Sequence, residues 1–427
     1  MIDINLIREN PELVKKNIKK KFQKEKLPLV DKVIGLDEEW RGLKFKEDGL
    51  RSERNKISKE INDLKKNKGD ASKLIKVAKE IPGKIGKIQF KRKKLEGEIK
   101  EIMYKIPNIM HESVPEGKDD SENVVVRKWG KIPKFSFPIE NHVEIIERLN
   151  LGDFDASSRV SGKGFYYLKN ELALLNQALI RFGINFMNKQ GYEYIETPLM
   201  LNEKEIYASM DKEAIEESVY QIKGECKGLI GTAEQSLLAM HSGDTILESN
   251  LPKKYFSYSM CFRQEIGAHG INEKGLWRTH QFNKVEQFIF CKPEDSEKLY
   301  DELLKNSEDL IKELELPYQV LQLCTGDLAD WKYQSADLEV WRPTTNSYGE
   351  VVSLSNCTDY QARKLDIRCV GKNGERRVLH TLNDTALATS RIMVAILENN
   401  QQKDGSIKIP KVLWKYTGFK EIGNKKV

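Results

Sequence analysis

Two runs of apolar residues at intervals of seven leave the first quarter of this chain few folds to adopt. Leu43, Leu50, Ile57 and Leu64 fall at strict sevens, and after the Asn67-Lys68-Gly69-Asp70 break a second series follows at Leu74, Ile81, Ile88, Leu95 and Ile102. The companion seam positions hold Trp40 and Ile61 on the first run, but also Glu47 and Arg54. On the second they hold Ala78, Ile85, Ile99 and Ile106, with Arg92 interrupting. This spacing on both sides of a glycine turn predicts an antiparallel two-helix coiled coil made within one chain, over residues 37–106. Arms of about 30 residues at 1.5 Å each would span about 45 Å. Pro82, beside Gly83 and Gly86, should kink or weaken the second arm. Residues 37–105 hold 21 Lys+Arg against 13 Asp+Glu, a larger excess than the whole chain's +6. Such a rod suits either a solvated oligomerisation hairpin or a grip on the phosphates of a folded RNA.

At 427 residues the chain exceeds one ordinary domain. Pro107, Pro115, Pro133 and Pro138 punctuate residues 107–140, which read as a linker to a second domain over 141–427. The six cysteines are spread without a CxxC pair, which argues against a zinc ribbon or disulfide framework and for a reducing compartment. Residues 1–30 lack an apolar signal core and no run approaches 18 apolar residues, so a cytoplasmic protein without a membrane span is expected. Asn10-Pro11-Glu12 should open a short helix and Asn141 should cap another over 142–149. Leu172, Leu175, Leu179 and Phe182 keep helical spacing, ahead of a break at Gln190-Gly191 and a strand ending at Thr197-Pro198.

The chemistry concentrates between Phe256 and Phe290, where apolar runs 255–262 and 285–290 flank a glycine-rich middle and read as a long-looped antiparallel hairpin. Arg263 and Glu265, two apart, should share a face. They suit either a surface ion pair or a site for a phosphate-bearing ligand that also carries a donor. Thr232 and Glu234 offer a hydroxyl and a carboxylate able to hold an ammonium group. Glu350 and Ser353, on a strand over 346–356, offer oxygen ligands to Mg²⁺. Asn383 or Asp384 should cap a helix carrying the small Ala386, Ala388 and Ala395, with Arg391 about two turns in. Taken singly, each also fits an ordinary cap, surface charge or buried ion pair.

FRQE, a variable loop, then RTHQF and KVEQF resembles motif 2 of the class II aminoacyl-tRNA synthetases in its seryl-tRNA synthetase form. IDINLIRENPE resembles the opening of that family, the helix and strand over 164–201 its motif 1, TAEQ its serine-binding stretch, GEVVSLSN its metal-holding strand, and HTLNDTALATSR its motif 3. Ser236, Trp277, Thr279, Val352 and the Tyr416-Thr417-Gly418-Phe419 tail depart from the usual pattern. The resemblance implies an α+β architecture: an N-terminal antiparallel two-helix coiled coil within a tRNA-binding arm over 1–106, a linker over 107–140, and a catalytic domain over 141–427 built on a mostly antiparallel sheet flanked by helices.

It also implies an ATP-dependent ligase that activates L-serine and transfers it to tRNA(Ser), and to tRNA(Sec) where one is present, working as a homodimer with Mg²⁺. Arg263 and Arg391 would be catalytic. Thr232, Ala233, Glu234, Arg263, Glu286, Asn383 and Thr385 would bind serine. ATP would meet Arg263, Gln264, Glu265, Thr279, His280, Gln281, Phe282, Glu350, Val351, Val352, Ser353 and Arg391, with Mg²⁺ on Glu350 and Ser353. Arg54, Lys65, Lys66, Lys91, Arg92, Lys93 and Lys94 would hold the tRNA, and the loop 267–277 would stay mobile until a ligand binds. The alternatives are a ligase that charges a carrier protein, whose known kind lacks the basic arm, and a non-catalytic RNA-binding paralogue. The rarer zinc-dependent serine enzyme fits the cysteine spacing poorly.

Overall fold

A computed structural model describes residues 1–266 and 274–423; the greater part of the loop expected to be mobile, residues 267–273, lies outside the described residues. The chain divides into two compact units, one of Ile2–Pro107, the other of Met1 with the chain from Asn108 onward.

The first unit is helical. Helix α1 (Ile4–Glu9) is followed by α2 (Pro11–Lys20), where Pro11 takes the first helical position and the Asn10 side chain accepts from Leu13 N, as the sequence led us to expect. Helix α3 (Leu27–Lys66) and helix α4 (Ser72–Met103) form the hairpin. At 40 and 32 residues they run about 60 and about 48 Å. The first helix therefore starts well before residue 37. Its added turns serve the small N-terminal helices: Val30 and Val33 are buried, and buried Asp37 takes Arg8 at 2.6 Å and Arg41 at 2.9 Å. Leu50, Ile57, Ile61, Leu74, Ala78, Ile81 and Ile85 make the seam. Pro82 sits inside α4 without ending it.

Glu47, which seemed to break the heptad, is buried and takes Arg51 at 2.7 Å, Arg92 at 2.5 Å and Gln89 at 3.0 Å, while the Arg92 guanidinium lies 4.4 Å over Trp40. The interruptions on the two runs thus answer each other across the seam. Arg92, expected to face tRNA, is turned inward by this cluster; Arg54, Lys65, Lys66, Lys91, Lys93 and Lys94 are exposed.

The second unit is built on an eight-stranded sheet of β1 (Val124–Trp129), β2 (Glu193–Tyr194), β3 (Lys253–Phe262), β4 (Gln281–Cys291), β5 (Tyr318–Gln322), β6 (Gln334–Arg342), β7 (Ser347–Thr358) and β8 (His380–Ala388), in the order β1-β5-β6-β7-β8-β4-β3-β2. All neighbours are antiparallel except β2 and β3. Around it lie α5 (His142–Arg148), capped by Asn141 in a reciprocal pair with Glu144, α6 (Asn170–Lys189), α7 (Ala233–Ala239), α8 (Ser296–Glu313) and α9 (Thr389–Asn399).

Two readings are corrected here. Residues 107–140 are more than a linker: Val124-Val125-Val126 open an edge strand paired with β5, and the Asn108 side chain donates to the carbonyls of Cys357 at 2.9 Å and Trp331 at 3.1 Å. The β-branched run outweighs the prolines on either side. Asn383 and Asp384 cap no helix but lie inside β8, and α9 begins at Thr389, so Arg391 stands in its first turn. On a central strand both polar side chains have partners across the sheet, an alternative the local sequence cannot display.

The long strands are buried on both faces. On β4, Val285 and Ile289 join the main core, which includes Leu175, Leu179, Ile392 and Ile396 of α6 and α9, while Phe288 and Phe290 pack with Leu237 and Leu238 of α7. Lys284 and Glu286, on the same face as those phenylalanines, look into an open space.

Candidate active site

That space is a cavity of about 480 Å³ over the middle of the sheet. Its floor comes from β4 and β8. Pairing Glu286 with Thr385 across the ladder puts Asn383 and Thr385 on the cavity face and Asp384 on the opposite one, where it meets Gln287 at 3.0 Å and Ser307 at 2.5 Å. Glu286 is fully buried and held by Lys284 at 2.7 Å, Asn383 Nδ2 at 3.1 Å and Thr385 Oγ1 at 3.3 Å. Among the described residues Asn383 Oδ1 is buried without a hydrogen-bond partner.

One wall is the start of α7. Thr232 caps it, its hydroxyl accepting from Glu234 N at 3.3 Å, and the Glu234 carboxylate takes Gln361 Nε2 at 2.7 Å. Burial, then the nearby charge of Glu286, pushes the Glu234 carboxyl up to about 7. Ala233 is buried in the fold and does not line the cavity.

The cavity lining also carries guanidinium groups. Arg263 donates to Gly231 O at 3.1 Å and lies 5.2 Å from the Phe282 ring centre. Glu265 lines the same cavity, as expected, but not through regular strand alternation. It has φ +50, outside the strand, and pairs with Arg278 at 2.8 Å. Arg391 donates to Trp277 O at 3.2 Å and Glu350 O at 2.8 Å, and its ion pair with the Glu350 carboxylate is 3.1 Å long. Burial raises the Glu350 carboxyl, but the charge and hydrogen bond of Arg391 outweigh it and hold the group below the usual range.

Glu350 and Ser353, three apart, would face opposite ways on a regular strand. A register shift between β6 and β7 pairs Glu339 with Glu350 but Leu338 with Val352, so Val351 is the extra residue of a bulge and Glu350 and Ser353 both reach the cavity. Val351 contributes to the lining, whereas Val352 is core. Across the ladder from Ser353, Asp337 is pushed up to about 7 by burial and then by the charge of Glu350, although a hydrogen bond from Ser353 works the other way.

Of the expected ATP contacts, Arg263, Glu265, Thr279, Phe282, Glu350, Val351, Ser353 and Arg391 line the cavity. Gln264, His280 and Gln281 do not. Gln264 is held through its backbone to Ser218 O at 2.9 Å, His280 packs on Phe165 at 5.2 Å, and Gln281 reaches Met260. The reading of the sequence missed Lys284, Arg278, Ser355, Trp331 and Lys332, whose Nζ is 3.3 Å from Ser353 Oγ. Lys284 was findable, as a lysine two before Glu286 in an apolar strand. Lys332 sits before β6 with no local signal.

The cavity therefore presents both carboxylates and guanidinium groups to a ligand. Comparison with known proteins gives it a context. The family model described as the tRNA synthetase class II core domain (G, H, P, S and T) matches residues 218–400, and the one described as the seryl-tRNA synthetase N-terminal domain matches residues 1–110. The chain is 44% identical to the serine–tRNA ligase of Pyrococcus furiosus, over 99% of this chain and 97% of that one. Among solved structures, seryl-tRNA synthetase from Pyrococcus horikoshii complexed with ATP superposes with a TM-score of 0.94 at 41% identity over the whole of both chains. The cytoplasmic serine–tRNA ligase of Naegleria fowleri in complex with AMP superposes at 0.88 with 34% identity, covering 100% of this chain and 99% of that one.

Proposed function

This chain belongs to the seryl-tRNA synthetase family, and on that premise we propose how its cavity performs ATP-dependent ligation of serine to tRNA. The observation that carries the reading is that one cavity is lined both by the buried carboxylates Glu234 and Glu286 and by the guanidinium groups of Arg263 and Arg391. The serine ammonium is held by Glu234 and Thr232, and its hydroxyl by the Glu286, Asn383 and Thr385 cluster. The serine carboxylate attacks the α-phosphorus of ATP; a C(O)O–P bond forms, the Pα–O–Pβ bond breaks, and pyrophosphate leaves. Arg263 neutralises charge at the α-phosphate and Arg391 at the γ-phosphate, with Phe282 against the base. No side chain acts as a nucleophile; positioning and charge neutralisation supply the rate. A 3′-terminal tRNA hydroxyl then takes the seryl group and releases AMP.

Glu350 and Ser353, brought to one face by the bulge, offer two oxygen donors of the kind that suits Mg²⁺. Bound there with nucleotide phosphates, the ion would supply further neutralisation of the polyphosphate. Alanine lacks the hydroxyl and forfeits its hydrogen bonds to the Glu286, Asn383 and Thr385 cluster, a penalty that reaches about 10⁴ to 10⁵ in sites built around such a group.

The basic arm, with its exposed Arg54, Lys65, Lys66, Lys91, Lys93 and Lys94, is the feature that favours tRNA as acceptor over a carrier protein. We extend the reading to tRNA(Sec), to a homodimer, and to a cytoplasmic setting, the last in keeping with six free cysteines, five of them buried. Among the described residues no helix is long and apolar enough to cross a membrane. The test is exchange of labelled pyrophosphate into ATP with serine, alanine, threonine and glycine. Strong exchange with serine alone supports the reading, and none with any of them returns the chain to a non-catalytic RNA-binding role.

A further inference from the structure

A buried polar relay leads to Arg391 in the cavity lining. His142, at the start of α5, accepts a hydrogen bond at Nε2 from Leu276 N at 3.2 Å, and its Nδ1 is 3.0 Å from Glu398 Oε1. With Nε2 as acceptor, the ring is a neutral imidazole that carries its proton on Nδ1 and donates it to Glu398. Glu398 is fully buried and also takes Arg342 at 3.1 Å and Thr344 at 2.8 Å. The Arg342 guanidinium lies 4.2 Å from the Trp277 ring centre, with Arg391 at 5.5 Å from the same ring and bonded to the Trp277 carbonyl.

Two glycines fit this arrangement. A Cβ on Gly275 would come within 2.4 Å of His142 Nε2, and one on Gly349 would come within 2.4 Å of the Trp277 indole. The backbone is bare at the two places where the relay needs room. Glu398 and Arg391, seven apart on α9, share a face of that helix.

We propose that His142 is a positioning residue for adenylation: its neutral imidazole clamps the segment Gly275–Trp277 to Glu398, and so fixes the indole and carbonyl against which Arg391 is set. The inference rests on the reading above that Arg391 meets ATP. The charged groups facing the ring are Glu398 and, across that carboxylate, Arg342. In the clamped segment Lys274 is itself paired with Asp155 at 2.8 Å and Glu147 at 3.4 Å.

The experiment is serine-dependent pyrophosphate exchange by the full-length protein, comparing wild type with His142→Phe, His142→Gln and Gly349→Ala. His142→Phe, which fills the space without hydrogen bonds, raises KM for ATP about tenfold or more and leaves KM for serine within about twofold. His142→Gln, which retains an acceptor and a donor, lies between. Gly349→Ala, which displaces Trp277 without touching His142, gives the same ATP-selective effect and serves if His142→Phe does not fold. An unchanged KM for ATP in both His142→Phe and Gly349→Ala overturns the proposal, as does an equal rise for ATP and serine. Absence of serine-dependent exchange in the wild type would instead overturn the functional reading itself.

Discussion

Glu47 in the helical hairpin and Glu234 in the cavity are the same residue, both buried, and their carboxyls move in opposite directions. Hydrogen bonds from Arg51, then Arg92, hold Glu47 down at about 2, whereas burial, then the charge of Glu286, lifts Glu234 to about 7. The hairpin has closed its own account of charges: every Glu47 donor comes from within the two helices. The cavity has not. Among the described residues Glu234 has a single side-chain donor in Gln361, and Asn383 Oδ1 has none. A buried carboxylate matched from within is a structural element, while one left under-matched beside open space is prepared for a cation from outside.

The strongest test of this contrast removes a cavity charge. Arg391→Ala lowers kcat/KM for serine-dependent pyrophosphate exchange by about 10² to 10³, a loss larger than its ion pair with Glu350 and its hydrogen bonds to Trp277 and Glu350 cost in stability. A large loss of stability without loss of exchange would reverse the assignment.

Next in size, replacing Arg54, Lys65, Lys66, Lys91, Lys93 and Lys94 together by Gln raises KM for tRNA about tenfold or more and flattens its salt dependence by about one logarithmic slope unit per lost phosphate contact. Exchange without tRNA is unaffected. Unaltered tRNA kinetics would make the hairpin an assembly element.

A smaller effect comes from pH. If serine binds beside ionised Glu234, KM for serine rises by up to about tenfold per pH unit below about 7, and Glu234→Gln abolishes that dependence. The sign for stability is the reverse: a carboxyl raised by burial contributes stability that is fully present below the ordinary carboxylate range and lost as pH rises through about 7. A flat KM profile would mean that Glu234 is ionised throughout and matched by protein groups, as Glu47 is.

Smallest on activity is Glu47→Gln. It leaves exchange unchanged and tRNA KM within a few-fold, while lowering the unfolding temperature of the hairpin, read by circular dichroism. A combined Glu47→Leu and Arg92→Leu change restores that temperature, since removing both partners avoids the lone buried charge that a single change leaves.

Several features were legible without coordinates. Heptad spacing with a glycine turn names a helical hairpin because side-chain direction on a helix repeats every 3.5 residues in a supercoil, a purely local rule. Asn10-Pro11 and Asn141 were readable as caps because a cap is satisfied within four residues of itself. The stretch around Arg263, with Thr232, Glu234, Glu286 and Arg391, named the cavity because their order and spacing are those of a known family.

What only the tertiary structure decided involves partners distant in the chain. Asn383 and Asp384 form part of a strand because Glu286 and Ser307, 97 and 77 residues away, answer them. Glu350 and Ser353 share a face because a bulge at Val351 resets the alternation, which no count along the sequence reveals. Lys332, His142 and Glu398 matter only through what they meet. Local sequence fixes the direction of a side chain, whereas hydrogen-bond satisfaction, burial and charge balance are settled by whatever the fold brings opposite it.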